Sequence, residues 1–255
     1  METPKFHLNN GLEIPQLGFG TSGLRSATNA ILHALRTGYR HIDTADIYGT
    51  HENVAEAIQK SSMRREEIFI TTKLWSHSVS SKRVGLAVDR FLKELKTDYL
   101  DLLLIHWPGN TPVRETLAAM DETRKAGKVN SIGVSNFNVE LVQEAMDSDF
   151  PVVNDQIEYN LNHQPQDVLD FCTKNKITVT AYSPMENGNR EQENLVAELA
   201  KKYSVTRAEV LLRWLMQKGM IAIPRSSNTR HIENNLHALE WKMEDGDVMK
   251  IDGLK

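Results

Sequence analysis

Residues 99–134 read YLDLLLIHWPGNTPVRETLAAMDETRKAGKVNSIGV, and this stretch decides the fold. Tyr99–Ile105 is a nearly unbroken apolar run, as expected of a parallel strand covered on both faces. A turn rich in Pro, Gly and Asn follows. Residues 112–126 then carry apolar side chains at helical spacing, and Val129–Val134 is a second apolar run. Strand, helix and strand in that order predict a parallel βαβ unit.

The same unit recurs in both directions along the chain. Strand candidates are Leu17–Phe19, His41–Asp43, Ile68–Thr72, Tyr99–Ile105, Val129–Val134, Val152–Gln156, Thr178–Ala181 and Met220–Ile223. Helical patterns lie between them at 26–37, 51–60, 80–96, 112–126, 138–147, 165–175, 191–203 and 229–238. A further helix at 206–217 opens on a capping box, Thr206 with Glu209. Eight alternations, spaced by roughly 30 residues, argue for a closed (β/α)8 TIM barrel rather than an open sheet. Ahead of them, Phe6–Leu8 and Leu12–Ile14 flank Asn9-Asn10-Gly11 and predict a β-hairpin that caps the barrel bottom.

No linker or shift in composition divides residues 1–255, so one domain is expected. With 40% hydrophobic and 25% charged residues, the chain has the make-up of a soluble globular protein and not of a disordered or fibrous one. The net charge of −4, without any block of like charge, argues against nucleic acid or an anionic membrane as partner. No apolar run approaches the length of a membrane span, and the first residues lack the apolar core of a secretion signal. A single cysteine, Cys172, excludes a disulfide framework and suits the reducing cytoplasm. Its place in the 165–175 helix predicts a packing role.

Gly18-Phe19-Gly20-Thr21-Ser22-Gly23 spells G-x-G-x-x-G, with Asp43 twenty residues after the last glycine. That pattern mimics a dinucleotide-binding turn and its ribose-binding acid. Eight alternating units leave no place for a separate doubly wound domain. The expected reading is that Gly20 and Thr21 end the first barrel strand and bring backbone close to a ligand.

In a barrel of this kind the chemistry gathers at the C-terminal ends of the strands. Asp43 ends strand 2, Tyr48 lies in the loop after it, Lys73 ends strand 3 and His106 ends strand 4. Each alone has an ordinary structural reading: a turn residue, a solvated cation, a core imidazole. Together they form a set that polarises and protonates a C=O. An Asp keeps a buried Lys charged, and the ammonium stabilises the phenolate left when a tyrosine gives up its proton. An imidazole opposite can hydrogen-bond the carbonyl oxygen and orient it. The histidines and the lone cysteine show no metal-ligand spacing.

These residues sit in motifs that resemble the aldo-keto reductases: GYRHIDTADIYG, FITTKLW, DYLDLLLIHWP, GVSNF, VNDQIEY, TAYSPM and IPRSSNTRHIENNL. The resemblance runs in order along essentially the whole chain, closest to the small prokaryotic 2,5-diketo-gluconate and methylglyoxal reductase-like members. It implies a TIM barrel that binds NADPH and transfers hydride to an aldehyde or ketone, with Asp43, Tyr48, Lys73 and His106 as catalytic tetrad and Tyr48 as proton donor.

The resemblance also implies cofactor contacts. Ser135, Asn136 and Gln156 match the side chains that hold the nicotinamide carboxamide, and Tyr182 the aromatic face under its ring. Ser183 and Met185 match residues beside the pyrophosphate, while Gly20, Thr21 and Asp43 match contacts from the first strands. Pro224, Arg225, Ser226, Ser227 and Asn228, ahead of a helix that carries His231, Asn234 and Asn235, match the adenosine end. There a helix N-terminus and a guanidinium suit a phosphate. The sequence departs from the usual pattern here, with Arg225 in place of Lys, His231 in place of Arg and Asn234 in place of Glu. His231 is a weaker, pH-dependent phosphate partner, so NADH stands as the alternative coenzyme.

Trp75 and Trp107 would wall the substrate pocket together with Tyr48 and His106. Ser22 stands where many members carry Trp, and the chain ends at DGLK without a long tail, so a more open site is expected. The partner implied is a small carbonyl compound, and most of the family resembles monomers. Two other readings compete. One is a cofactor-sensing barrel with little turnover, which the complete tetrad disfavours. The other is a Schiff-base enzyme acting through Lys73, which leaves the nicotinamide motifs without a purpose.

Overall fold

A computed structural model describes residues 3–254. Strands β1 (Lys5–His7) and β2 (Glu13–Pro15) form an antiparallel hairpin. Then come β3 (Phe19–Gly20), β4 (His41–Asp43), β5 (Phe69–Leu74), β6 (Leu100–Ile105), β7 (Val129–Ser135), β8 (Val152–Glu158), β9 (Thr178–Tyr182) and β10 (Ile221–Ala222). These eight are parallel and lie in sequence order. Helices α1 (Ala27–Thr37), α2 (His51–Ser61), α3 (Ser81–Leu95), α4 (Val113–Lys125), α5 (Val139–Asp147), α6 (Gln166–Lys174), α7 (Arg190–Tyr203), α8 (Arg207–Gln217), α9 (Thr229–His237) and α10 (Asp245–Gly253) surround or follow them.

The first and last strands meet. Leu17 bridges Ala222, Gly18 N–H donates to the Ala222 carbonyl at 2.9 Å and Gly20 N–H to that of Pro224 at 3.0 Å. The first two glycines of the G-x-G-x-x-G pattern, Gly18 and Gly20, therefore serve closure. A Cβ on Gly18 would lie 2.5 Å from the His41 ring, and one on Gly20 would lie 3.0 Å from the Ile223 carbonyl. Glycines are needed there because strand and neighbour are in contact.

Alternation along the strands sorts the side chains. Ile42, Ile70, Leu103 and Ile105 pack outward under the helices, whereas Phe69, Leu102, Leu104 and Ile221 fill the barrel interior with Leu8 and Ile14 of the hairpin. Asn9 and Asn10 tie that hairpin to the Val152 carbonyl and to Ser131 Oγ, at the N-terminal ends of β8 and β7. The hairpin thus plugs the bottom, as expected. The same alternation turns Asp43, Lys73 and the residue after β6, His106, inward at the opposite end.

The predicted strands and helices are present with ends shifted by one or two residues, and the Thr206–Glu209 capping box forms. Helix α10 goes beyond the helices that the sequence predicts: its nine residues, DGDVMKIDG, carry two glycines and no clear apolar stripe. Packing of Ile251 and the bond from Trp214 Nε1 to Asp252 hold it in place. Among the described residues, no helix is long and apolar enough to cross a membrane.

Candidate active site

A cleft of about 670 Å³ opens at the C-terminal ends of the strands, within the range of small-molecule sites. At its floor Lys73 Nζ donates to Asp43 Oδ1 at 2.6 Å and to the Thr44 carbonyl at 3.0 Å. Both side chains of the ion pair are at most 3% exposed. Burial works against the Lys73 ammonium, but the Asp43 carboxylate, with help from Tyr48, more than offsets it, and the pKa lies above the ordinary lysine value. The ammonium sits 5.0 Å from the centre of the Tyr48 ring.

Tyr48 reaches the cleft from a single 3-10 turn, Asp46–Tyr48, that follows β4. Its hydroxyl is 3.5 Å from His106 Nε2. Burial and the Lys73 charge push the His106 pKa down to about 4, with Asp43 and Asp46 pulling only partly the other way. The imidazole is therefore neutral near neutral pH. Trp75 packs edge-on against it at 5.0 Å. The four residues expected to act together thus converge on one point of the cleft floor.

The GVSNF and AYSP loops form the adjoining wall. Asn136 and Ser183 both have left-handed backbone, with φ of 63° and 51°, a strained conformation typical of ligand sites. Asn136 Nδ2 donates to the His106 carbonyl at 3.0 Å and to Ser135 Oγ at 3.2 Å, while Tyr182 Oη donates to Asn136 Oδ1 at 2.8 Å. Ser135 Oγ in turn donates to the Gln156 carbonyl at 2.6 Å. Expected as direct ligand holders, Ser135 and Asn136 have most of their hydrogen-bonding capacity committed to each other and to the loops. Gln156 differs: its Nε2 donates to Asp43 Oδ2 at 2.8 Å, which leaves Oε1 as an acceptor toward the cleft.

The aim of Gln156 depends on a β-bulge. Register shifts by one residue between Ile132–Val152 and Val134–Asp155, so Val153 and Gln156 both face inward although their numbers differ in parity. Gly133 makes the bulge feasible, since a Cβ there would sit 2.6 Å from the Asn154 carbonyl oxygen and 2.7 Å from Leu104 Cδ2.

At the far end the structure narrows the sequence expectation. Arg225 lines the cleft beside Gly20, Thr21, Tyr182, Ser183 and Met185. Pro224 is buried, and Ser226 with Ser227, Asn228 and His231 lie outside the cleft on the surface or partly so. The α9 N-terminus is not open: Asn228 Oδ1 already accepts from the backbone N–H groups of Arg230 and His231. Asn235 is buried and Asn234 half-buried, away from the cleft lining.

Trp107, 47% exposed, and Ile47, 51% exposed, stand at the mouth with Ser22, Pro184 and Glu186. Ser22, which stands where many members carry Trp, leaves this side of the mouth without an indole; Ile47 and Glu186, beside Tyr48 and Met185 in sequence, line the mouth without a sequence signal of their own. No chemical signal marked them, because apolar and acidic loop residues acquire a role only from where the loop folds.

The sequence model of the Aldo/keto reductase family matches residues 16–255. Glyoxal reductase of Bacillus subtilis is 35% identical over 99% of this chain and 92% of its own length. A methylglyoxal reductase of Yersinia pestis is 34% identical over 94% and 92%. Among solved structures, an aldo-keto reductase of Bombyx mori in complex with NADP superposes with a TM-score of 0.92 at 32% identity, over 100% of this chain and 93% of that one. An aldo/keto reductase of Brucella melitensis gives 0.94 at 36% identity, over 99% and 100%. With its barrel, its cleft and these likenesses in agreement, the chain belongs to the aldo/keto reductase family.

Proposed function

We propose that this protein reduces an aldehyde or ketone to the alcohol with NADPH, Tyr48 giving the proton. The carrying observation is the convergence of the Tyr48 hydroxyl, neutral His106 and the Lys73–Asp43 pair at one point of the cleft floor. The cleft fits the coenzyme by its donors and acceptors: Gln156 Oε1 accepts from a carboxamide, the half-buried Tyr182 ring offers a stacking face, and Arg225 offers charge to a phosphate. Bound NADPH supplies the hydride that reaches the carbonyl carbon.

The chain does the rest. His106 Nε2 donates to the carbonyl oxygen and aims it at Tyr48, a task only the neutral ring combines with proximity to a lysine. As negative charge grows on that oxygen, the Tyr48 O–H bond breaks and the proton moves to it. The phenolate left behind faces the Lys73 ammonium, which is held by Asp43 Oδ1, and Gln156 Nε2 steadies that carboxylate through Oδ2. Trp75, Trp107 and Ile47 screen the oxygen from water. The chain is read as one domain, acting as a monomer in the cytoplasm, where the buried Cys172 thiol stays reduced.

The test is NADPH oxidation with methylglyoxal, a nitrobenzaldehyde and a diketo sugar acid, with NADH alongside, for the unaltered chain and Tyr48→Phe. Loss of turnover by about 10²-fold or more in the variant, with NADPH binding kept, supports the reading. Turnover indifferent to the hydroxyl sinks it. Tight NADPH binding without turnover by the unaltered chain would favour a sensing barrel instead.

A further inference from the structure

The turn that carries Tyr48 has little of its own to hold it. It is three residues long, its neighbour Ile47 is exposed, and Gly49 beyond it has a left-handed φ of 64°. Within the turn, the Tyr48 N–H donates to the Ala45 carbonyl at 3.1 Å. The Tyr48 side chain meets the cleft floor loosely: its hydroxyl is 3.5 Å from His106 Nε2, the two rings lie edge-on at 5.6 Å, and the Lys73 ammonium is 5.0 Å from the ring centre. A hydroxyl that must meet a substrate oxygen cannot be placed by these contacts alone, because small displacements of a reacting group are costly.

Asp46 supplies what is missing. Its carboxylate points away from the cleft into the layer outside the barrel and is 4% exposed. Oδ1 accepts from Arg90 Nη2 of α3 at 2.8 Å, and Oδ2 accepts from Ser78 Oγ at 3.0 Å, with His77 Nε2 at 3.3 Å. Charge-assisted bonds of this kind are directional and strong for their size. The anchor is itself braced: Arg90 Nη1 donates to Glu94 Oε1 at 3.2 Å, and Glu94 Oε2 lies 2.7 Å from His51 Nδ1. The other nitrogen of His51 is 2.9 Å from Thr72 Oγ1, the residue before Lys73. One polar chain outside the barrel therefore joins the turn bearing Tyr48 to the strand bearing Lys73.

We propose that Asp46 is a positioning residue for Tyr48, holding the turn against α3 and the Ser76–Ser78 segment through Arg90 and Ser78. The proposal rests on Tyr48 as proton donor. Asp46 does not line the cleft, so its loss should lower kcat and leave coenzyme binding alone.

The experiment compares Asp46→Asn, Arg90→Met, Arg90→Lys and Tyr48→Phe in the full chain. Readouts are kcat and KM for one aldehyde, NADPH Kd from quenching of tryptophan fluorescence, and thermal midpoint. Expected are a fall in kcat of about tenfold in Asp46→Asn and Arg90→Met, with NADPH Kd unchanged, and recovery of most of kcat in Arg90→Lys. A kcat within twofold of the unaltered chain overturns the proposal. So does a loss of kcat that merely follows weaker NADPH binding or a smaller folded fraction. An active Tyr48→Phe would instead bring down the proton-donor reading, whereas an inactive Tyr48→Phe beside a fully active Asp46→Asn removes only the role of Asp46.

Discussion

Gln156 Nε2 donates to Asp43 Oδ2 at 2.8 Å, joining residues 113 positions apart in the chain. The carboxylate that neutralises Lys73 through Oδ1 thus fixes, through Oδ2, the amide at the coenzyme side of the cleft. Binding and proton transfer thus share one buried anion.

Lys73→Met strands the Asp43 carboxylate in the barrel without its cation. Turnover should disappear, and stability should fall by about 3–5 kcal/mol, the usual effect of removing one partner from a buried pair. Adding Asp43→Asn should restore much of the stability and none of the turnover. Denaturant unfolding of the two variants decides; a double variant no more stable than the single one would count against the pairing as described.

The His106 ring, with its pKa near 4, should stay neutral down to about pH 5 in an NMR titration. The unfolded ring takes a proton near its ordinary value of 6.5. The unfolded state then binds more protons between those values, so stability contributed here is lost as pH falls from about 6.5 toward 4. A His106 midpoint above 6 would contradict the electrostatic picture of the cleft.

Asp155 is fully buried, and neither of its oxygens has a well-formed hydrogen bond among the described residues; the backbone N–H of Phe137 is the one donor that approaches it. Burial raises its pKa to about 8, with the Phe137 backbone N–H opposing only in part. Its folded value is above the ordinary 3.8, so the folded state holds the extra proton and stability declines as pH rises from about 4 to 8. Asp155→Asn, which keeps the shape, should raise the thermal midpoint at neutral pH. The gain should vanish near pH 4 and level off above about pH 8. An equal gain at every pH would refute this assignment.

Gly133→Ala places a methyl against the Asn154 carbonyl and Leu104. Overpacking of this sort costs about 1–3 kcal/mol, and relief by straightening the bulge would turn Gln156 away from Asp43. The variant should show both a lower thermal midpoint and weaker NADPH binding. An unaltered Kd would mean that the bulge does not govern the amide.

Arg225→Ala should weaken NADPH binding by about tenfold through loss of a charge-assisted contact. NADH binding should change much less if the guanidinium meets the phosphate by which the two coenzymes differ. Equal losses for both would place Arg225 on the shared pyrophosphate instead.

Much of this was legible in the chain itself. The alternation of apolar strands with amphipathic helices carries the barrel, because period-2 and period-3.6 patterns are local consequences of backbone geometry. The ends of strands 2, 3 and 4 therefore already name Asp43, Lys73 and His106, and inward alternation guarantees that they meet. The glycines of residues 18–23 mimic a nucleotide turn by their spacing, and only the packed barrel shows that Gly18 makes room for His41 on one side and Ile223 on the other.

Other features have no local signature. Helix α10 lacks an apolar stripe and exists through its bond to Trp214 and the burial of Ile251. The phosphate-ready helix end read from IPRSSNT turns out to be capped by its own Asn228, which competes with any anion for the same N–H groups. The parity change in β8 depends on contact between Gly133 and the strand beside it. The role of Asp46 needs Arg90, which arrives 44 residues later on another helix. Composition, periodicity and motif spacing set the barrel and its chemical parts, because each is fixed by neighbours within a few residues. Which donors remain free, which carboxylate is stranded and which turn is anchored were decided only when distant segments packed, since those properties belong to pairs of residues and not to either one alone.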